Sequence, residues 1–135
     1  YLAVFTGEPE AMEGRMEDVL LKNGRTNTSS VVKEGTPQAK KAVLTYRVIK
    51  YTGTVGLAEV TLQTGRHHQI RVQMAHHGMP LWGDGKYNEK IKDEEKGSAI
   101  GLCAYRLEFT HPRTGKKLQF EIEPEGVVFK NLSAY

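Results

Sequence analysis

The chain has 135 residues and 15.1 kDa, with 39% apolar and 26% charged side chains, which suits one folded domain at most. No run approaches the roughly 18 apolar residues of a membrane helix, and the first residues carry neither a basic n-region nor an apolar h-region, so neither a spanning nor a secreted protein is predicted. A single cysteine, Cys103, rules out an internal disulfide framework or a multi-cysteine zinc site and suits a reducing cytoplasm.

Residues 1–6 (YLAVFT) are β-prone without a preceding turn. The chain thus begins inside a strand and without an initiator methionine, which leads us to expect part of a longer protein. Between residues 8 and 41 the signals are mixed: residues 16–21 suit either a short strand or a helical turn, and residues 23–30 read as an exposed loop. Residues 42–51 (AVLTYRVIKY) and 55–63 read as a hairpin with one wet face, because Ala58, Val60 and Leu62 alternate with Glu59 and Thr61. After Thr64-Gly65 the period changes. Ile70, Met74 and His77 share a helical stripe, Gly78 and Pro80 stop it, and a helix over 67–77 follows. The run 89–96 (EKIKDEEK) reads as a solvated face or loop. A second hairpin is expected from the alternation of Cys103, Tyr105, Leu107 and Phe109, a turn at 111–115, and Leu118, Phe120 and Ile122. Residues 127–135 suggest one more helix. The predicted class is α+β, a mainly antiparallel mixed sheet with short flanking helices.

Nineteen Lys and Arg against sixteen Asp and Glu leave a net charge of +3 and a pI near 9.0, which favours polyanionic partners. The stretch 63–87 holds Arg66, Arg71, Lys86 and four histidines against one acid, Asp84. Its densest part, Thr64-Gly65-Arg66-His67-His68-Gln69-Ile70-Arg71, falls at a strand-to-helix junction, where free backbone N–H groups and arginines suit a phosphate or carboxylate. A surface helix start with solvated arginines fits the composition equally well. No metal site is expected: His68 and His76 stand two turns, about 10.8 Å, apart along a helix, and no cysteine pair or HExxH completes a shell. Nor is a hydrolytic nucleophile, since GxSxG is absent and Cys103 lies in an apolar alternation.

The string Leu62-Gln63-Thr64-Gly65-Arg66-His67-His68-Gln69-Ile70-Arg71-Val72, followed by Gly78-Met79-Pro80-Leu81-Trp82-Gly83-Asp84 and Tyr87, resembles the signature LxTGRxHQIRVHxxxxGxPxxGDxxY of RluA-type RNA pseudouridine synthases. Flanking pieces agree in order. Tyr1-Leu2-Ala3 resembles the KxYLA strand, residues 42–48 the AxTxYRV strand, and residues 102–120 the LHAxxLxFxHPxTGxxxxF hairpin. The segment HRLDxxTSG, which bears the family's nucleophilic aspartate, is not among these residues. The resemblance therefore implies the C-terminal part of a catalytic domain, inactive alone, with the alternative of a non-catalytic RNA-binding module of the same fold.

Family members detach uracil from C1′ of a uridine in structured RNA, turn it, and rejoin it through C5 without metal or organic cofactor, so the resemblance implies rRNA or tRNA as partner and no cofactor. It implies Arg71 as partner of the nucleophilic aspartate, Tyr1 as the active-site tyrosine stacking on the flipped base, and Ile70 as an apolar pocket wall. Arg66, His68 and Gln69 belong to the same motif, as RNA contacts or as supports of the strand-helix corner; Asp84 reads as a turn cap. With the aspartate absent, Arg71 is expected to hold water or an anion. A missing half-sheet would also leave the strand at Tyr1 or a neighbour unpaired, so self-association through an exposed edge is expected.

Overall fold

The computed structural model describes residues 1–123; the helix expected over 127–135 lies outside them. The described elements are β1 (Leu2–Thr6), β2 (Glu13–Asn23), β3 (Thr28–Val31), β4 (Lys40–Tyr51), β5 (Val55–Leu62), α1 (Gln69–His76), β6 (Leu102–Cys103), β7 (Arg106–Thr110) and β8 (Lys117–Glu121), with a 3-10 turn at Asp93–Glu95. Six strands form one sheet in the order β3-β2-β4-β5-β1-β6, and β7 and β8 form a separate ribbon. The α+β class holds, and every described strand pair is antiparallel.

The hairpin of β4 and β5 matches its expected bounds closely, with a register shift between Val48 and Lys50 that leaves Ile49 exposed. The region left open, 8–41, contains the eleven-residue β2. Met16 and Leu20 point inward from it, while on the wet side Glu17 pairs with Arg15 at 2.7 Å and Lys41 at 2.5 Å. The loop expected over 23–30 is only partly a loop. Its second half enters edge strand β3, because Leu21 and Ser30 fall into register and the Tyr87 hydroxyl accepts the Ser29 N–H at 3.0 Å.

The expected second hairpin is divided. Cys103 pairs with Leu2 in the large sheet, and β7 starts three residues later in the ribbon. Between them Tyr105 turns its hydroxyl onto the Glu59 carboxylate, and that bond ends the alternation. The strand from Tyr1 is no free edge: β1 has β5 on one side and β6 on the other.

One face of the sheet is covered by α1. Ala3, Phe5, Met16, Leu44, Val48, Ala58 and Val60 pack there against Ile70 and Met74 of the helix and Met79 and Leu81 of the chain after it. Val4 and Leu57 face the other side, under Trp82. Among the described residues no helix is long and apolar enough to cross a membrane.

The closest approach in this core is at Gly56, where a Cβ would lie 2.2 Å from Cζ and 2.5 Å from Cε1 of the fully buried Phe5. Gly56→Ala is therefore expected to destabilise the fold by about 1–3 kcal/mol or more, and Phe5→Leu added to it should recover part of the loss. Urea unfolding of the two variants checks this; a single variant with the wild-type midpoint would show that the ring moves aside freely.

Candidate active site

The corner between β5 and α1 is held by Gln69. Its Oε1 accepts the Thr64 hydroxyl at 2.8 Å and the Arg66 N–H at 2.9 Å, while its Nε2 donates to the Val43 carbonyl at 3.1 Å. Buried and committed to these bonds, Gln69 shapes the junction from inside the chain. Arg66 is half-buried beside it, with Nε on the Lys41 carbonyl at 2.9 Å. The helix starts two residues later than expected, because His68 takes a left-handed conformation (φ 53°) and its carbonyl accepts the first helical bond from Val72.

That turn stacks His67 on His68, ring centres 3.8 Å apart. The Tyr87 hydroxyl accepts the Ser29 N–H at 3.0 Å and shares a second hydrogen bond with Nδ1 of His68 at 2.6 Å, which ties the ring to edge strand β3. His67 Nε2 donates to Asn27 Oδ1 at 2.9 Å and its Nδ1 faces the Ser29 hydroxyl at 2.8 Å. Both imidazoles are held below the ordinary histidine value. The main cause is burial, followed for His68 by the charges of Arg71, His67 and Lys86, and for His67 by Lys22, Lys86 and Arg71.

A pH dependence follows. An unfolded histidine binds its proton near pH 6.5. In the folded chain both rings bind it only at lower pH, so below about 6.5 the unfolded chain holds more protons and stability falls with acidification. This contribution is complete above that pH and is lost as pH drops through the folded values. Melting of the chain between pH 7.5 and 5.5 should show the decline, and His67→Gln with His68→Gln should flatten it; an unchanged slope would assign the acid sensitivity elsewhere.

Arg71 does not wait for a small anion. Its Nε and Nη2 donate to Oδ2 and Oδ1 of Asp84, both at 2.9 Å. The Asp84 side chain is 1% exposed and that of Arg71 17%. This pair raises the arginine pKa further, hydrogen bonding to Asp84 being the largest cause. The expected cap survives in a minor form, since Asp84 Oδ1 also accepts the Lys86 N–H at 3.2 Å. The Tyr87 ring covers the guanidinium, 5.0 Å from its carbon to the ring centre.

Ile70 is buried in the cluster under the sheet and shares it with Val60. Tyr1 is bonded across to that same Val60, through its nitrogen at 2.9 Å and its carbonyl at 2.8 Å, and by strand alternation its ring projects on the α1 side, partly exposed. Among the described residues no hydrogen bond or ring contact joins Tyr1 to Arg71. A groove of about 920 Å³ runs past Val72, His76, Tyr87 and Asn88, and neither Tyr1, Ile70 nor Arg71 lines it. His77 leaves the predicted apolar stripe to bond Asp18 at 2.9 Å.

Known proteins resemble this chain in sequence and in fold. Residues 1–76 match the RNA pseudouridylate synthase family, and the chain belongs to that family. Its curated relatives place it with the RluA type. The ribosomal large subunit pseudouridine synthase C of Buchnera aphidicola subsp. Schizaphis graminum is 32% identical over 97% of this chain and 43% of its own length. Pseudouridine synthase D of Neisseria meningitidis serogroup A is 36% identical over 87% and 31%, and the RNA pseudouridine synthase YlyB of Bacillus subtilis 36% over 90% and 38%. The chain thus spans between about a third and two fifths of these relatives. The solved structure of human RNA Pseudouridylate Synthase Domain Containing 1 superposes with a TM-score of 0.74 at 25% identity, over 92% of this chain and 53% of that one.

Proposed function

We propose that the protein to which this chain belongs is an RNA pseudouridine synthase working in the cytoplasm on structured RNA, rRNA or tRNA, and that these residues are the C-terminal part of its catalytic domain. Arg71 carries the proposal. It is a nearly buried guanidinium at the helix start, within the family motif, with only part of its donor set used by Asp84. In this reading Arg71 orients an aspartate supplied by another segment and keeps it ionised, Tyr1 stacks on the flipped uracil, and Ile70 walls the pocket. Arg66 and His68 lie beside the RNA path, and Gln69 acts through the corner it holds.

The N1–C1′ glycosidic bond breaks, the uracil turns, and a C5–C1′ bond forms; the C5 proton is then lost to a base or water and N1 takes one up, so that the product is an isomer of the substrate. Release of tritium from RNA labelled at uridine C5 reads this directly. The protein read from the full reading frame should release it, and the 135 residues alone should not. Turnover by the short chain would overturn the need for a separate aspartate, and a full frame without an HRLD-like segment would favour a non-catalytic RNA-binding module.

The isolated chain should also self-associate. With β1 paired on both sides, the ribbon and the residue after it present a cluster of exposed apolar side chains among the described residues, Leu107, Phe109, Phe120 and Ile122, and the two phenylalanine rings stack at 5.9 Å. Light scattering should show mass rising with concentration and Phe109→Ser with Phe120→Ser suppressing the rise; a monodisperse monomer throughout would remove this expectation.

A further inference from the structure

Strand β3 has four residues and only β2 beside it in the sheet, too little pairing to fix the turn that joins the two. The motif corner supplies the rest. On the free side of β3 the Ser29 N–H meets the Tyr87 hydroxyl at 3.0 Å, and the His67 ring joins Ser29 Oγ at 2.8 Å and Asn27 Oδ1 at 2.9 Å. Asn27 holds a left-handed conformation in the turn, φ 50°, and its carbonyl accepts Lys86 Nζ at 3.0 Å. The β2–β3 turn is thereby tied to the same corner that carries Arg71.

The charges gathered there are of one sign. Lys22 lies opposite Ser29, and alternation puts it on the side of Leu20, which packs with Val72 of α1. Arg25 stands in the turn, and Lys86 lies against the Asn27 carbonyl. Among the described residues none of these three forms an ion pair, whereas Arg15, Lys41, Lys96 and Arg106 each have a carboxylate. Two acids on the α1 side are already bonded, Asp84 to Arg71, and Asp18 to Gln73 and His77. After burial, the charges that act on His67 are those of Lys22, Lys86 and Arg71, all cationic. Residues 22–27 (KNGRTN) offer neither an apolar anchor for a protein partner nor a ring on which a base could stack. Backbone phosphate fits such a surface, since phosphate contacts set position without reading bases. We propose that the β2–β3 hairpin is an RNA-docking arm in which Lys22, Arg25 and Lys86 hold backbone phosphates flanking the target uridine, with His67 as the positioning residue that fixes the arm to the corner. The proposal rests on the reading of this chain as part of an RNA pseudouridine synthase.

The test uses the full-length protein, with a fluorescein-labelled RNA stem-loop carrying uridines in its loop for binding and RNA tritiated at uridine C5 for turnover. Lys22→Ser with Arg25→Ser, at two exposed positions, should weaken binding roughly tenfold near 0.1 M salt and reduce the steepness of log affinity against log salt by about one to two. Turnover should fall at limiting RNA and stay within about threefold at saturating RNA. His67→Ala should weaken binding with the salt dependence kept, because the cations remain and only their placement is lost. On the background of Lys22→Ser with Arg25→Ser it should add less than about twofold. If Lys22→Ser with Arg25→Ser keeps the parent's affinity and salt dependence, or loses turnover at saturating RNA with binding unchanged, the docking arm is wrong while the reading of the chain as a synthase stands. Full additivity of His67→Ala overturns its positioning role. If the parent releases no tritium, yet loses RNA binding when Lys22 and Arg25 are replaced, the enzymatic reading fails and the hairpin stands as an RNA contact.

Discussion

Arg71→Ala in the full-length protein should lower uridine isomerisation by on the order of 10²–10³-fold or more, since in the role proposed for it the arginine sets both the orientation and the charge of the nucleophile. The same change should cost stability. It leaves the carboxylate of Asp84, 1% exposed, without its cation, and breaking a buried pair costs about 3–5 kcal/mol. The two effects separate in a double variant. Arg71→Met with Asp84→Asn removes both charges and should melt well above Arg71→Ala, because a buried pair removed as a unit leaves no orphan charge; its activity should stay at the level of the single variant. Arg71→Lys should rescue poorly, as an ammonium cannot form a fork. Activity of Arg71→Ala or Arg71→Lys within tenfold of the parent would show that the arginine has no part in the chemistry.

The position of Arg71 was legible in the sequence and its partner was not. The junction reads from a change of period after Gly65, and the motif supplies the rest. Asp84, however, lies 13 residues further on, beyond a helix end and a proline, and an aspartate between two glycines reads as a turn residue on local grounds. Only the path of the chain over Leu81 and Trp82 brings it back to the helix start. Strand β2 was hidden for a different reason. Its inward residues Met16 and Leu20 are four apart, a spacing that suits a helix as well as a strand. What decides is pairing with β4 from Glu13 opposite Arg47 to Leu20 opposite Lys40, a contact between distant parts of the chain. The β4–β5 hairpin needed no such help, because β-branched residues and strict alternation act within one window.

The run 89–96 carries the other large expected effect. Its alternating charges predict a solvated face or loop, and the run is a mostly exposed loop in which Glu95 alone is fully buried. Its Oε2 accepts the Lys92 N–H at 2.9 Å, three residues back, and its Oε1 the Gly83 N–H at 3.2 Å. The first is the reach-back of a capping box, visible in the sequence as a glutamate three after the start of the turn. The second is long-range, and it ties this loop to the turn that carries Asp84. Gly83 has no alternative shape to offer: its φ is +74° and a Cβ would meet the Ala99 carbonyl oxygen at 2.8 Å. Glu95→Ala leaves two partly buried N–H groups without their acceptor, at about 1 kcal/mol or more each, so the melting temperature should fall by roughly 5–10 °C. Glu95→Gln should sit between, since its amide keeps one acceptor and points an N–H at the other donor. Hydrogen exchange at the Gly83 amide gives the local reading. Fast exchange in Glu95→Ala, with β4 amides still protected, would show the turn released from an intact sheet; protection as in the parent would mean that Glu95 does not hold it.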